Sequence, residues 1–149
     1  MTPERDQATS LSAVTAIGPA VLSADNTPAA IDLLGFAAAT LILAIGAGGI
    51  TFTATNKVEF VLTHSEDGDT YTAVTDDDLV KDTLAPAEVN NGIVRALTSA
   101  HADPTLQTIG YVGGRRYLKL LADFSGTHGT GTPIAASVVR GLGALRGAA

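Results

Sequence analysis

The chain has no cysteine and no tryptophan among its 149 residues. The absence of cysteine excludes a disulfide framework and a thiolate metal site. Charged residues make up 16% of the sequence, below the roughly 25% typical of soluble domains, while 46% of the residues are hydrophobic. This apolar content argues against disorder across the middle of the chain. The length and composition indicate one domain whose surface is partly covered by a neighbour.

Positive charge is scarce, since the net charge is −6 and the sequence pI is about 4.8. We therefore do not expect nucleic acid as a main partner, because neutralising phosphates requires a basic face. Most basic residues lie in the last quarter of the chain, and the acidic residues cluster between Glu66 and Glu88. This uneven distribution of charge indicates either a surface that faces a partner or simply solvated loops and strand edges. We favour the second interpretation.

Residues 33–52 carry no charge over a length that could span a bilayer. The segment contains Gly35 and three glycines at 46–49, and it lacks aromatic belts and flanking positive charge. We therefore predict no membrane association, and two buried strands joined by a glycine turn. A helix over residues 29–45 is the competing interpretation, which Gly35 disfavours.

Alternating hydrophobicity indicates β-strands in the rest of the chain. Residues 57–64 place Val58, Phe60 and Leu62 on one face, and the Asp67–Gly68 turn then predicts a hairpin with residues 70–74. A second hairpin is predicted to join residues 108–112 and 116–124 through a glycine turn. Further short strands are predicted at residues 20–23, 30–33, 40–45, 92–97 and 134–140.

Seven to nine short strands with regularly spaced turns predict an all-β fold, an antiparallel β-sandwich or jelly roll. The predicted organisation is a flexible N-terminal arm (1–20), a single β-sandwich domain (21–141) and a small-residue C-terminal tail (142–149). The polar N-terminus lacks the features of a signal peptide. On this division, deletion of residues 2–18 is expected to leave the fold intact.

Two motifs could bind a phosphate or a cation. The glycines at 46, 48 and 49 would need another at position 51 for a dinucleotide fingerprint, but Thr51 stands there and no helix is predicted to follow. Acidic turns could supply oxygen ligands for calcium, although their spacing departs from the EF-hand pattern. We interpret these residues as turn formers and leave calcium open: Asp67, Asp69, Asp76, Asp77, Asp78 and Asp82.

The three histidines, His64, His101 and His128, are not in metal-ligand register. Ser125 and His128 share a glycine-rich loop, which fixes no nucleophile–base geometry. The few aromatic residues lie mostly in predicted strands and are expected in the core rather than in a sugar- or base-stacking platform. The sequence therefore predicts no catalytic, cofactor-binding or metal-binding residues, no cofactor and no enzymatic activity.

Three segments carry a resemblance to a known group of proteins: Glu59–Thr75, Ile109–Leu120 and Ala122–Ala136. Within the span from Leu22 to Arg140, the chain resembles small virion proteins from the head-gene clusters of tailed bacteriophages and prophages. This is a similarity of overall pattern without a catalytic signature, and it carries over no functional residues.

The resemblance implies a capsid decoration (cement) protein that stabilises the assembled shell from the virion surface. Its implied partners are the major capsid protein and copies of itself, with a trimer favoured. Residues 1–20 and the loop 126–133 are the predicted inter-subunit contacts. The alternatives are a head–tail connector or tail protein, and a carbohydrate-binding, adhesin-like module.

Overall fold

A computed structural model of the chain describes residues 6–143, and within them the protein is all-β, with two antiparallel sheets. The predicted fold class is confirmed. Two short 3-10 turns, at Ala8–Ser10 and Asp76–Asp78, accompany the strands. The described residues form ten strands: β1 (Leu11–Leu22), β2 (Ile31–Asp32), β3 (Phe36–Ile45), β4 (Lys57–Ser65), β5 (Thr72–Ala73), β6 (Leu79–Val80), β7 (Ile93–Leu97), β8 (Thr105–Tyr111), β9 (Tyr117–Ser125) and β10 (Thr132–Gly143).

Sheet A has the strand order β1-β10-β3-β8-β6, and sheet B has the order β2-β9-β4-β5, with β7 also paired to β4. The long central pairs run without a break: β10 lies along β3, and β4 lies along β9 from Lys57 opposite Ser125 to Ser65 opposite Tyr117. These pairings join segments far apart in sequence.

The core consists of alternate side chains from both sheets. In β3 Leu41, Leu43 and Ile45 are buried, and in β4 Val58, Phe60 and Leu62 are buried. Period-two alternation sends these residues to one face of each sheet and their neighbours to the other. The predicted inward face of residues 57–64 is therefore correct.

The flexible arm predicted over residues 1–20 is wrong from Leu11 onwards. Residues 11–22 form β1, which pairs with β10 and buries Ala16 and Ile17. Register shifts between Thr15 and Ala20 interrupt the alternation, so this strand lacks a regular sequence signal. At the other end β10 continues to Gly143, and most of the predicted C-terminal tail lies outside the described residues.

The predicted hairpin between residues 108–112 and 116–124 does not form, although both strands do. β8 pairs with β3 in sheet A, whereas β9 pairs with β4 in sheet B. The connection therefore crosses from one sheet to the other, which lets Ile109 and Leu120 enter the same core. The hairpin predicted after β4 is present, but β5 pairs only with Thr63 and His64.

The strand predicted after the glycines at 46–49 is replaced by a loop. Gly49 lies so close to the Gly131 carbonyl that an added Cβ would be 1.7 Å from that oxygen. The Thr53 hydroxyl accepts hydrogen bonds from the backbone N–H groups of Thr55 and Asn56, which turns the chain. Phe52, only 1% exposed, anchors the loop in the core.

Deletion of residues 2–18 is expected to destabilise the protein, because it removes most of β1 and exposes the edge of β10. Truncating Ile17 alone should lower the free energy of unfolding by about 2–5 kcal/mol. Deletion of residues 2–7 is the matched control, since it leaves β1 whole. Thermal unfolding followed by circular dichroism compares the two, and equal melting temperatures would contradict the assignment of β1.

Gly49→Ala is expected to lower the free energy of unfolding by about 2 kcal/mol, because its methyl group overlaps the Gly131 carbonyl. Gly18→Ala is the control, since an added Cβ there has no atom within 4 Å, and its effect should stay within about 0.5 kcal/mol. Urea unfolding measures both changes. An unchanged free energy of unfolding in Gly49→Ala would refute the close contact between the two loops.

Candidate functional site

The outer face of sheet A is the most unusual surface of the molecule, because its outward side chains are uncharged. Exposed faces of antiparallel sheets normally carry polar side chains that alternate with core residues. We call this surface the neutral face, and its register pairs define it: Leu11, Ala13, Thr15, Val21, Ala38, Thr40, Ile42, Ala44, Val80, Leu106, Thr108, Gly110, Pro133, Ala135, Ser137 and Val139.

Several large apolar side chains of the neutral face are exposed. Leu106 is 65% exposed, Val80 62%, Val21 61% and Leu11 44%. Single exposed aliphatic residues are ordinary, but a contiguous apolar patch marks an interaction surface. These four side chains lie on three strands of one face, so they belong to one surface.

One end of the neutral face contains an apolar depression of about 590 Å³. Pro19 and Val21 from β1, Pro133 from β10, and Pro104 and Leu106 around the start of β8 surround it. The β1–β10, β10–β3 and β3–β8 registers bring these residues to the same end of the sheet. The depression offers a place for an apolar side chain of a partner.

Arg140 is the one charged residue in the described strands of sheet A. Its guanidinium lies 4.6 Å from the centre of the Phe36 ring and donates hydrogen bonds to the Asp32 carbonyl and the Ser12 hydroxyl. Its partner residues in the register are Ser12 and Ala39, and Ala39 is buried. This charge therefore joins the two sheets at one end and does not belong to the neutral face.

The outer face of sheet B differs sharply in chemistry. Lys57 and Glu59 form an ion pair at 3.1 Å, and Asp123 lies opposite Glu59 on β9. Lys119 lies over the Tyr71 ring, 4.2 Å from its centre. We call this surface the charged face. It has the composition expected of a solvent-exposed sheet, so the neutral face is a property of sheet A alone.

The acidic side chains in the turns accept hydrogen bonds from nearby backbone N–H groups. The Asp67 carboxylate accepts hydrogen bonds from the Ser65 hydroxyl and from the backbone N–H groups of Asp69 and Thr70. These bonds lower the Asp67 pKa to about 2, led by the bond from Thr70. Asp78 likewise accepts the Thr75 N–H in a capping box at the second 3-10 turn. Within residues 6–143 no three His, Asp or Glu side chains converge into a metal site.

His64 is buried and takes part in a core hydrogen bond. Its Nδ1 lies 2.7 Å from the Tyr111 hydroxyl, which also accepts the Arg115 backbone N–H. Burial lowers the His64 pKa and raises the Tyr111 pKa, so the pair is neutral at pH 7, with the hydroxyl donating to Nδ1. This hydrogen bond connects β4 of sheet B with β8 of sheet A.

Ser125 and His128 do not form a nucleophile–base pair. The His128 Nε2 donates to the Ser125 backbone carbonyl at 2.7 Å, and the imidazole is enclosed by the Phe52 and Phe124 rings. His128 is therefore a core residue of the loop 126–133. Most of the remaining loop residues are exposed, and the predicted inter-subunit role of this loop stays a prediction.

A second cleft, of about 390 Å³, lies at the opposite end of sheet A from the apolar depression. Its two arginines are engaged in contacts of the fold. Arg116 makes a bidentate ion pair with Asp32, with both contacts at 2.9 Å, and Arg115 donates to the Thr72 hydroxyl. The charge of Arg116 is thus paired with a carboxylate, whereas Arg115 donates to a neutral hydroxyl.

Sequence reasoning missed the neutral face, although the signal was present. Residues 40–45 and 138–139 are apolar or uncharged at successive positions, which is typical of strands covered on both faces.

The prediction that aromatic residues lie in the core holds for Phe52, Phe60 and Tyr111, which are buried. The segment 33–52 forms β3 and loops, and no helix in the described part of the chain is long and apolar enough to cross a bilayer.

No protein-family model and no curated protein matches the chain. Among solved structures, the chain is similar to the crystal structure of the SPBc2 prophage-derived protein YomS. The TM-score is 0.48 at 10% sequence identity, and the match covers 87% of this chain and 92% of that chain.

The stability of the fold is expected to fall as the pH drops from 7.5 to 5.5. Burial keeps His64 neutral in the folded state, whereas the unfolded chain binds a proton below about pH 6.5. The stability that the neutral, buried His64 contributes to the fold is therefore complete above pH 6.5 and is lost progressively as the pH falls below that value. Melting temperatures should show a smaller decline for His64→Gln over this range. An equal decline in both proteins would contradict this role for His64.

Proposed function

We propose that this protein is a non-enzymatic structural component of a bacteriophage virion, a capsid decoration protein that binds the assembled shell and stabilises it. The neutral face is the observation that carries the proposal. A surface of this size without charge, on a chain of net charge −6, fits a structural protein that works by packing against other chains of an assembly, whether copies of itself or a larger partner.

The chemistry of the remaining side chains supports a structural role. His64 and His128 are used in core contacts, and Asp67 and Asp78 hold turns. The sequence resemblance to phage head-gene products supports a phage setting, and the proposal adds the capsid surface as location and the major capsid protein as partner. Many weak contacts on one shell would add through avidity.

A carbohydrate-binding role has less support. Sugar-binding modules present aromatic rings to solvent, whereas Phe52, Phe60 and Tyr111 are 5% exposed or less. Tyr71 and Tyr117 lie on the charged side of the molecule, where Lys119 and Arg116 cover their rings. Each cation–π contact occupies one face of its ring, which leaves less ring surface for a sugar to stack upon.

The proposal predicts saturable binding to phage capsids that lack this protein. Purified protein is mixed with such capsids and sedimented, and the bound amount is measured against concentration. The expected result is a plateau at a fixed number of copies per capsomer, together with a higher temperature of capsid disruption. The matched control is the same capsid already carrying the protein, which should bind no more.

Binding to isolated tails or connectors, with none to capsids, would contradict the decoration role and favour a head–tail component. Specific retention on a glycan array without capsid binding would instead favour an adhesin-like module.

A further inference from the structure

We propose that the neutral face lies against the neutral faces of other copies of this chain, around the symmetry axis of a homo-oligomer that forms before the protein reaches the shell. This inference deepens the proposed function and rests on it for the larger assembly. It names the surface that joins the copies and leaves other surfaces for the shell.

The size of the neutral face fits such a contact. Its four long strands span about 20 Å across the sheet and about 30 Å along it, given the usual strand spacing and rise per residue. Roughness of the side chains adds accessible area to that flat patch. The total is comparable to the roughly 800 Å² that each partner buries in a stable interface of standard size.

The chemistry of the face favours a second copy over the capsid shell as its occupant. A decoration protein must stay dissolved until it docks, and a large uncharged face left open would aggregate in the meantime. Permanent homo-oligomeric interfaces are more apolar than interfaces between proteins that also exist apart. The face is therefore expected to be covered already in the free protein.

Charge and side-chain size are both compatible with like faces meeting. Identical copies of net charge −6 repel each other, but the register positions that define the neutral face carry no ionisable side chain, and Asp82 borders it at the Thr108 backbone. Small residues such as Ala135 and Ser137 occupy the interior strand β10, so two sheets can approach closely. Exposed Leu106 lies beside the apolar depression, and each copy can thus offer an apolar side chain and a place to receive one.

The test compares two glutamates placed at equivalent positions on the two faces. Ser137→Glu enters the neutral face, next to Thr15 and Ile42. Thr63→Glu enters the charged face, opposite Lys119. Both sites are partly exposed hydroxyl residues in long paired strands, and both changes give the same net charge. Native mass spectrometry and light scattering after size exclusion measure the mass of each species.

The wild type and Thr63→Glu are expected to be oligomers of equal mass, a dimer or a trimer, since two-fold and three-fold axes both bring the faces together. Ser137→Glu should associate at least tenfold more weakly, with circular dichroism unchanged. Leu106→Glu is the second variant, because that side chain is already 65% exposed in one copy, and it should dissociate the oligomer without unfolding the protein.

A monomeric wild type would overturn the inference, as would an oligomer that both neutral-face variants leave intact. These results are separable from failure of the proposed function. A monomer that still saturates capsids would refute the interface and keep the decoration role. An oligomer that dissociates as expected but binds no capsid would keep the interface and refute the decoration role.

Discussion

The packing of sheet A against sheet B is the contact on which the rest of the structure depends. Leu41 and Leu43 of β3 and Phe60 and Leu62 of β4 belong to this shared core, each 2% exposed or less. Because side chains alternate along a strand, burying these residues sends their neighbours outwards. The inward packing thus determines which residues form the neutral face and which form the charged face.

The contrast between the two outer faces links the fold to the proposed role. In sheet B, Lys57, Glu59 and Lys119 keep the surface hydrated. In sheet A, the corresponding positions are aliphatic or small, which weakens hydration and favours contact with another protein. Inside the sandwich, the His64–Tyr111 hydrogen bond joins the two sheets, and the proposed role is assigned to the outer surface of sheet A.

The sequence predicts the strands better than it predicts their partners. Alternation at residues 57–64 identified β4 and its inward face, because one face of that strand is charged. It could not show that β8 and β9 belong to different sheets, since a short glycine connection fits a hairpin and a crossing equally well. β1 was missed because register shifts break its period. The uncharged run at residues 40–45 is a local signal for a strand covered on both faces, but the neutral face also depends on which strands lie side by side, which no local pattern encodes.

Thiol labelling measures whether the neutral face is covered in the working protein, because the chain contains no cysteine of its own. Single-cysteine variants Ser137→Cys and Thr63→Cys are labelled with a thiol reagent, in the folded protein and in denaturant. If another copy covers the neutral face, Ser137→Cys should react at least tenfold more slowly than Thr63→Cys in the folded protein, and both should react equally when unfolded. Equal rates in the folded protein, in solution and on capsids, would contradict this coverage.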